Sequence, residues 1–220
     1  MPNPTTVVRT GKAAAARRRS RPQLEREHIL DGALRLILDT GPGQMRLAEL
    51  ARGLDVTPSA LHYHFPGGKE EVVSALFERE ERRVLDAMTT AMATATTPRG
   101  QLLALATARL QNAARLARLH PSDAPRNGAE RRDGSTAGEI QDYVLRRRHE
   151  FLAAERSLIA GIFRDAVGPG VSRASLDLRA VAFQGALFNV TRTFALETKK
   201  NAATVLSELV DLFFQGIGRP

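Results

Sequence analysis

The sequence predicts an all-α fold, and three observations predict it. Apolar residues recur at helical spacing in segment after segment, Gly and Pro punctuate those segments, and no run of alternating β-branched and aromatic residues is long enough for a strand. With 220 residues, of which 43% are hydrophobic and 25% charged, the chain can bury a sizeable core, or two small ones.

The first helix is expected over 23–39, where Ile29, Leu30, Ala33, Leu34, Ile37 and Leu38 form one apolar stripe. Gly41 offers a left-handed stop and Pro42 prevents continuation. A short second helix, 47–54, places Leu47, Leu50, Ala51 and Leu54 at i, i+3, i+4 and i+7. In the turn that follows, Asp55 tolerates a left-handed conformation, Thr57 can cap a helix and Pro58 suits its first position. The third helix, 58–64, turns Leu61 and Phe65 to the core, leaves Ser59, His62 and Tyr63 nearer the outer surface, and ends at Pro66-Gly67-Gly68. A fourth, 69–93, is long enough to join two modules. Further helices are read at 98–119, 139–167, 176–194 and 204–217, with a surface loop at 121–138 and a firm break at Gly168-Pro169-Gly170.

Charge is distributed unevenly. Basic residues number 32 and acidic ones 24, a formal net charge of +8. Six of the basic residues, Arg9, Lys12, Arg17, Arg18, Arg19 and Arg21, lie in an acid-free stretch, 1–22, whereas 23–70 carries a net −2. A mobile arm of this composition suits phosphates or a minor groove. Its bland alternatives are a solubilising leader or an Arg-rich targeting sequence. The 13–16 alanine run is too short for a secretory signal core, so the N-terminus is taken as retained. No stretch approaches the roughly 20 apolar residues of a membrane helix, and the absence of Cys removes disulfides, thiolate nucleophiles, iron–sulfur clusters and Cys-based zinc sites. The expected location is cytoplasmic, with the nucleoid.

Two short helices joined by a tight turn, the second opened by Thr-Pro and rich in small and aromatic polar side chains, make a helix-turn-helix pattern. Such a second helix must offer hydroxyls, imidazoles and amides to base edges and phosphates while its other face packs inward. Residues 29–77 carry a more specific signal, above all the run Leu50-Ala51-Arg52-Gly53-Leu54-Asp55-Val56-Thr57-Pro58-Ser59-Ala60-Leu61-His62-Tyr63-His64-Phe65 followed by Lys69-Glu70. In this run the sequence resembles a bacterial transcriptional regulator of the TetR family. The resemblance implies an N-terminal DNA-binding domain (23–83) behind the basic arm (1–22). It also implies a helical domain (84–220) that binds a small-molecule effector and dimerises, the whole being a repressor released from a palindromic operator.

By that resemblance Thr57, Pro58, Ser59, Ala60 and His62 lie at or near the major-groove surface, with Tyr63, His64, Lys69 and Arg46 toward phosphates. The sequence departs from the family pattern in four places. Asp55 stands where Gly is commoner in the turn, His62 replaces the usual first Tyr of the Leu-x-Tyr-His-Phe pentad, Arg46 replaces a hydroxyl cap, and Pro66-Gly67-Gly68 lengthens the turn by one residue. The bland reading of His64 is a half-buried packing residue. That of Lys69 is a plain helix start, although a cation is unfavourable near a helix N-terminus and a phosphate would account for it better.

In the C-terminal half, Met88, Met92, Phe151, Phe163 and Phe188 are candidates for an apolar effector pocket, with Tyr143, Asn189 and Arg192 as polar anchors. Most such residues serve as core. Ala182, Gly185 and Ala186, which permit close helix approach, and Leu206, Leu209 and Phe213 on the last helix are candidates for a four-helix dimer interface. The alternative is that both stripes are ordinary intrachain core.

No cofactor and no metal site is expected. His62 and His64, at i and i+2, point to different sides of a helix, and the chain has no His-Glu-x-x-His, no Gly-rich phosphate loop and no Gly-x-Ser-x-Gly elbow. An enzyme is therefore a distant rival. An effector-independent architectural DNA-binding protein is nearer, and the long chain beyond the linker favours a sensor over it.

Overall fold

The computed structural model describes residues 21–113, 136–196 and 201–215. Those residues form α1 (Arg21–Thr40), α2 (Leu47–Gly53), α3 (Pro58–His64), α4 (Gly68–Ala93), α5 (Pro98–Gln111), α6 (Thr136–Val167), α7 (Arg173–Leu196) and α8 (Ala202–Phe214), with no strand among them. None of these helices is long and apolar enough to cross a membrane.

The ends of the first helices follow their local chemistry. Gly41 adopts φ 85° and donates its N–H to the Ile37 carbonyl at 2.8 Å, closing α1 in a left-handed stop. Asp55 adopts φ 54°. The Val56 N–H then reaches the Ala51 carbonyl (3.0 Å) and the Asp55 N–H the Arg52 carbonyl (3.3 Å), the paired bonds of a Schellman ending. Thr57 caps α3 by accepting the Ala60 N–H at 3.1 Å, and Pro58 follows it.

Several boundaries differ from those expected of the sequence. Arg21 and Pro22, assigned to the basic arm, open α1, because a proline is tolerated in a helix's first turn. Helix α6 begins at Thr136, so 136–138 are helical rather than loop, and the rest of the expected loop lies outside the described residues. Helix α7 begins three residues early because Ser172 caps it, its hydroxyl oxygen accepting the Ser175 N–H at 3.2 Å. Residues 114–119, expected to extend α5, and the arm residues 1–20 lie outside the described residues.

Two hydrophobic clusters hold the described residues together. The head cluster gathers Ile29, Ala33, Ile37, Leu50, Leu61, Phe65, Val73 and Phe77 from α1 to α4, and also takes Ile140 and Val144 from the start of α6. The larger cluster is formed by Val84, Met88, Leu102, Leu105, Ile159, Phe163, Phe183, Leu206 and Val210. Helices α4 and α6 each contribute to both clusters, so the head is attached by two helices rather than by one connecting rod. Burial at these positions, at about 25 cal/mol per Å² of apolar surface, is the main source of their stability.

Ion pairs reinforce the α1–α4 seam. The Arg79 guanidinium, nine-tenths buried, lies within 3.1 Å of Glu27, 2.9 Å of Asp31 and 2.9 Å of Glu80. In the larger cluster a buried polar group spans three helices. Arg109 Nε donates to Glu155 at 2.8 Å, and the Gln184 amide donates to Glu155 at 2.8 Å and to the Leu152 carbonyl at 2.7 Å.

Candidate nucleic-acid interface

Helix α3 is seven residues long, two turns, and too short to be stable alone. It is held from one side: Leu61 and Phe65 are buried in the head cluster. The other side is open. Pro58, Ser59, Ala60, His62 and Tyr63 are exposed, Tyr63 at 77%, and Ser59, His62 and Tyr63 share a face at i, i+3 and i+4. This face presents a hydroxyl, an imidazole and a phenol, all able to bond base edges or phosphates.

The remaining expected residues surround that face unequally. Arg46 stands at the N-cap of α2 without a capping side-chain bond, 78% exposed, its guanidinium 3.8 Å from Glu49. Thr57 is exposed but its oxygen is engaged by the cap of α3. Lys69, near the start of α4, donates from Nζ to the Gly43 carbonyl at 2.7 Å. Burial of its ammonium, and next the charge of Arg46, hold its pKa below the usual lysine value. Lys69 thus ties the α1–α2 turn to α4 while standing close to Arg46.

His64 sits differently. Its side chain is 8% exposed, its Nε2 lies 3.1 Å from a Glu25 carboxylate oxygen, and its ring meets Tyr63 edge-on at 5.1 Å. Because an ionised carboxylate can only accept, the imidazole N–H donates to Glu25.

Sequence reasoning missed this bracket at the N-terminus of α1. Beside Glu25, the Arg26 guanidinium lies 4.3 Å from the Phe65 ring centroid and 3.5 Å from Glu71. Glu71 in turn accepts the Gly67 N–H at 2.9 Å, bonding an otherwise orphaned donor at the start of α4. The signal available was faint: an acid and a base just after the arm, and a Glu one turn into α4. A cleft of about 270 Å³ opens behind the bracket between α1 and α4, lined by Arg26, Glu27, Glu78, Arg79, Arg82 and Asp86 among others. Its charges alternate in sign.

The expected effector residues are brought together only in part. Met88, Phe151 and Phe163 are buried in the larger cluster, with Met92 half-buried against it. Tyr143 lies instead against the head cluster and donates its hydroxyl to the Ser74 carbonyl at 3.3 Å. Phe188 is half-buried beneath Arg148, at 5.7 Å, while Asn189, bonded to the Gly185 carbonyl, and Arg192 are exposed. Helix periodicity locates an apolar stripe without saying which neighbour it meets, and these stripes meet two different cores.

The interface candidates divide in the same way. Leu206 and Leu209 are buried within the chain, and Phe213 packs on Phe183 at 5.2 Å between ring centroids, so these three serve the intrachain core rather than an outer surface. Ala182 and Gly185 are exposed and Ala186 is half-buried. Among the described residues, the large apolar side chains left in solvent on α7 and α8 are Leu178 (69%), Val181 and Leu212 (62%), none of which stood out in the sequence.

Comparison with known proteins falls on this same head. Residues 29–76 match the family described as bacterial regulatory proteins, tetR family. A curated relative, the HTH-type transcriptional regulator BetI of Rhizobium meliloti (strain 1021), is 34% identical over 82 residues. That match takes in 37% of this chain and spans 40% of the relative's length. The whole fold is similar to that of the fatty acid degradation regulator FadR from Bacillus halodurans, with TM-score 0.64 and 18% identity over 89% of this chain and 97% of that one. It is also similar to AibR, solved in complex with isovaleryl coenzyme A and operator DNA, with TM-score 0.57 and 15% identity over 86% and 97%. At such identities the structural likeness concerns the fold.

Proposed function

We propose that this chain, whose residues 29–76 match the tetR family of bacterial regulatory proteins, is a sequence-specific, DNA-binding transcriptional regulator. In this reading it is a homodimeric repressor released from a palindromic operator by a small-molecule effector. The carrying observation is α3 itself: a capped two-turn helix with Leu61 and Phe65 buried and Ser59, His62 and Tyr63 turned outward. Those three side chains meet the operator, with Arg46 directed to phosphate. The basic arm joins them, because the chain enters α1 beside α3, where Glu25 touches His64. Five positive charges in residues 1–20, with Arg21 at the start of α1, supply affinity that weakens with salt.

The C-terminal helices supply the second copy's docking face and the effector site. Leu178, Val181 and Leu212, with Ala182 and Gly185 beside them, make the surface for a second copy. AibR, which shares the fold, was solved with both a coenzyme A thioester and operator DNA, and this supports a chain that unites ligand and DNA binding.

The test is selection of bound sequences from random duplex DNA by the purified protein at a fixed salt concentration. Recovery of a two-fold symmetric consensus is the expected result. Salt-sensitive binding with no consensus would overturn it and leave an architectural DNA-binding protein.

A further inference from the structure

We propose that Glu25 is a positioning residue for DNA recognition: by holding His64 it fixes the end of α3 from which Tyr63 projects, and so sets how strongly the protein prefers its own site over other DNA. The proposal rests on the DNA-binding reading above and assigns a role within it to a residue outside the matched segment 29–76.

The two ends of α3 are secured differently. At its start, Thr57 caps the helix and Pro58 presets its first turn. At its finish, Phe65 leaves helical geometry with φ −139° and ψ 74°. A two-turn helix that ends in this way takes the direction of its last residues from whatever packs against them. Here that is the first turns of α1. Glu25 bonds His64 at 3.1 Å, and Arg26 covers the Phe65 ring and reaches Glu71. Tyr63, whose ring stands against His64, thereby has its position defined although it is largely exposed.

The sign of the charge supports this role. An acid beside a DNA-reading helix repels a polyanion, so Glu25 weakens binding to every duplex alike. A half-exposed carboxylate directed onto an imidazole that is 8% exposed offsets this by orienting the helix. It also occupies the imidazole nitrogen that a phosphate of any sequence would otherwise meet.

Positioning therefore predicts effects of opposite sign, which mere support of the fold would not produce. In Glu25→Ala, affinity for random duplex should rise, while the ratio of selected-site to random-duplex affinity should fall by roughly tenfold, the scale of one lost base-pair discrimination. Glu25→Gln, which keeps an acceptor for His64 and removes the charge, should restore most of that ratio while random binding stays raised. In DNA-free protein, the His64 ring nitrogen resonances should move in Glu25→Ala and stay near their wild-type positions in Glu25→Gln. Two affinities rising together with the ratio unchanged would make Glu25 simply repulsive and overturn the proposal. Both falling together in Glu25→Ala, or resonances that ignore the substitution, would overturn it as well. A wild-type chain that selects no consensus would remove the DNA reading, and this proposal with it. An unchanged ratio in Glu25→Ala, with the consensus intact, would remove the proposal alone.

Discussion

The Arg147 guanidinium on α6 and the Glu81 carboxylate on α4 meet at 2.5 Å, joining the two helices that run from the head into the larger cluster. Around them Tyr143 bonds the Ser74 carbonyl, and Ile140 and Val144 are buried against the head. The head is therefore held by the start of α6 as well as by its own continuation into α4. Any rearrangement of the C-terminal helices that moves α6 reaches α4 and the head cluster through these contacts.

The Glu81–Arg147 pair gives stability a dependence on pH. Burial of the Glu81 carboxylate pushes its pKa up to about 7, and Arg147 opposes that rise without cancelling it, while Glu150 and Glu78 add to it. The folded chain thus holds this proton more tightly than the unfolded chain, whose carboxylate titrates near 4.5. Stabilisation from the group is complete below about pH 4.5 and is lost as the pH rises through 7. At 1.36 kcal/mol per pKa unit the loss is about 3 kcal/mol. Denaturant midpoints measured from pH 5 to 8 should fall across this window in the wild type, and Glu81→Gln should flatten the slope. A wild-type slope that survives the substitution would assign the titration to another group.

Tyr63 separates binding from folding. Its phenol is exposed, so Tyr63→Phe should leave the thermal midpoint unchanged. Loss of one hydrogen bond to phosphate should weaken operator binding by roughly three- to tenfold in a gel-shift titration. Unchanged affinity would mean that the ring's apolar edge, not its hydroxyl, meets DNA.

Leu61 and Thr57 on the same helix should behave in the opposite way. Leu61→Ala removes a fully buried side chain from the head cluster and should cost about 2–5 kcal/mol in denaturant unfolding. Thr57→Ala removes the acceptor for the Ala60 N–H and should cost about 1 kcal/mol. Were the Thr57 variant to lose operator affinity far beyond its stability change, the hydroxyl would be donating to DNA while it caps.

These contrasts follow the distance over which each residue acts. Thr57-Pro58, Gly41 and the left-handed Asp55 work within a few residues of themselves, through caps and turns whose chemistry is local, and each is legible in the amino-acid sequence alone. Glu25 and His64 are 39 positions apart, and nothing in either neighbourhood marks the other. Burial of Ile140 and Val144 in the head is hidden for the same reason, since an apolar stripe on α6 looks alike whichever cluster it enters. On α8 the strongest stripe, Leu206 with Leu209, is the intrachain one, and the exposed Leu212 lies at its edge, one turn beyond Leu209. Amphipathicity identifies the face that must be buried and is silent about a second, weaker face.

That weaker face carries the last prediction. Leu178 and Val181 lie one turn apart on α7, Ala182 and Gly185 continue their line, and Leu212 is exposed on α8, which packs against α7. A Cβ added at Gly185 would meet no side chain of the described residues within 4 Å, so Gly185→Leu should be tolerated by the isolated fold and obstructive where a second helix must come close. Leu178→Glu places a charge on the same surface, and burying it against a second copy would be costly. Both variants should keep wild-type helix content by circular dichroism and sediment as monomers at micromolar concentration, and operator binding should become weak because two linked heads no longer act together. Leu206→Ala, by contrast, should lower stability without that selective loss of dimer, since its side chain is buried within one chain. A dimer that persists in both Gly185→Leu and Leu178→Glu would place the interface on another face of the C-terminal helices.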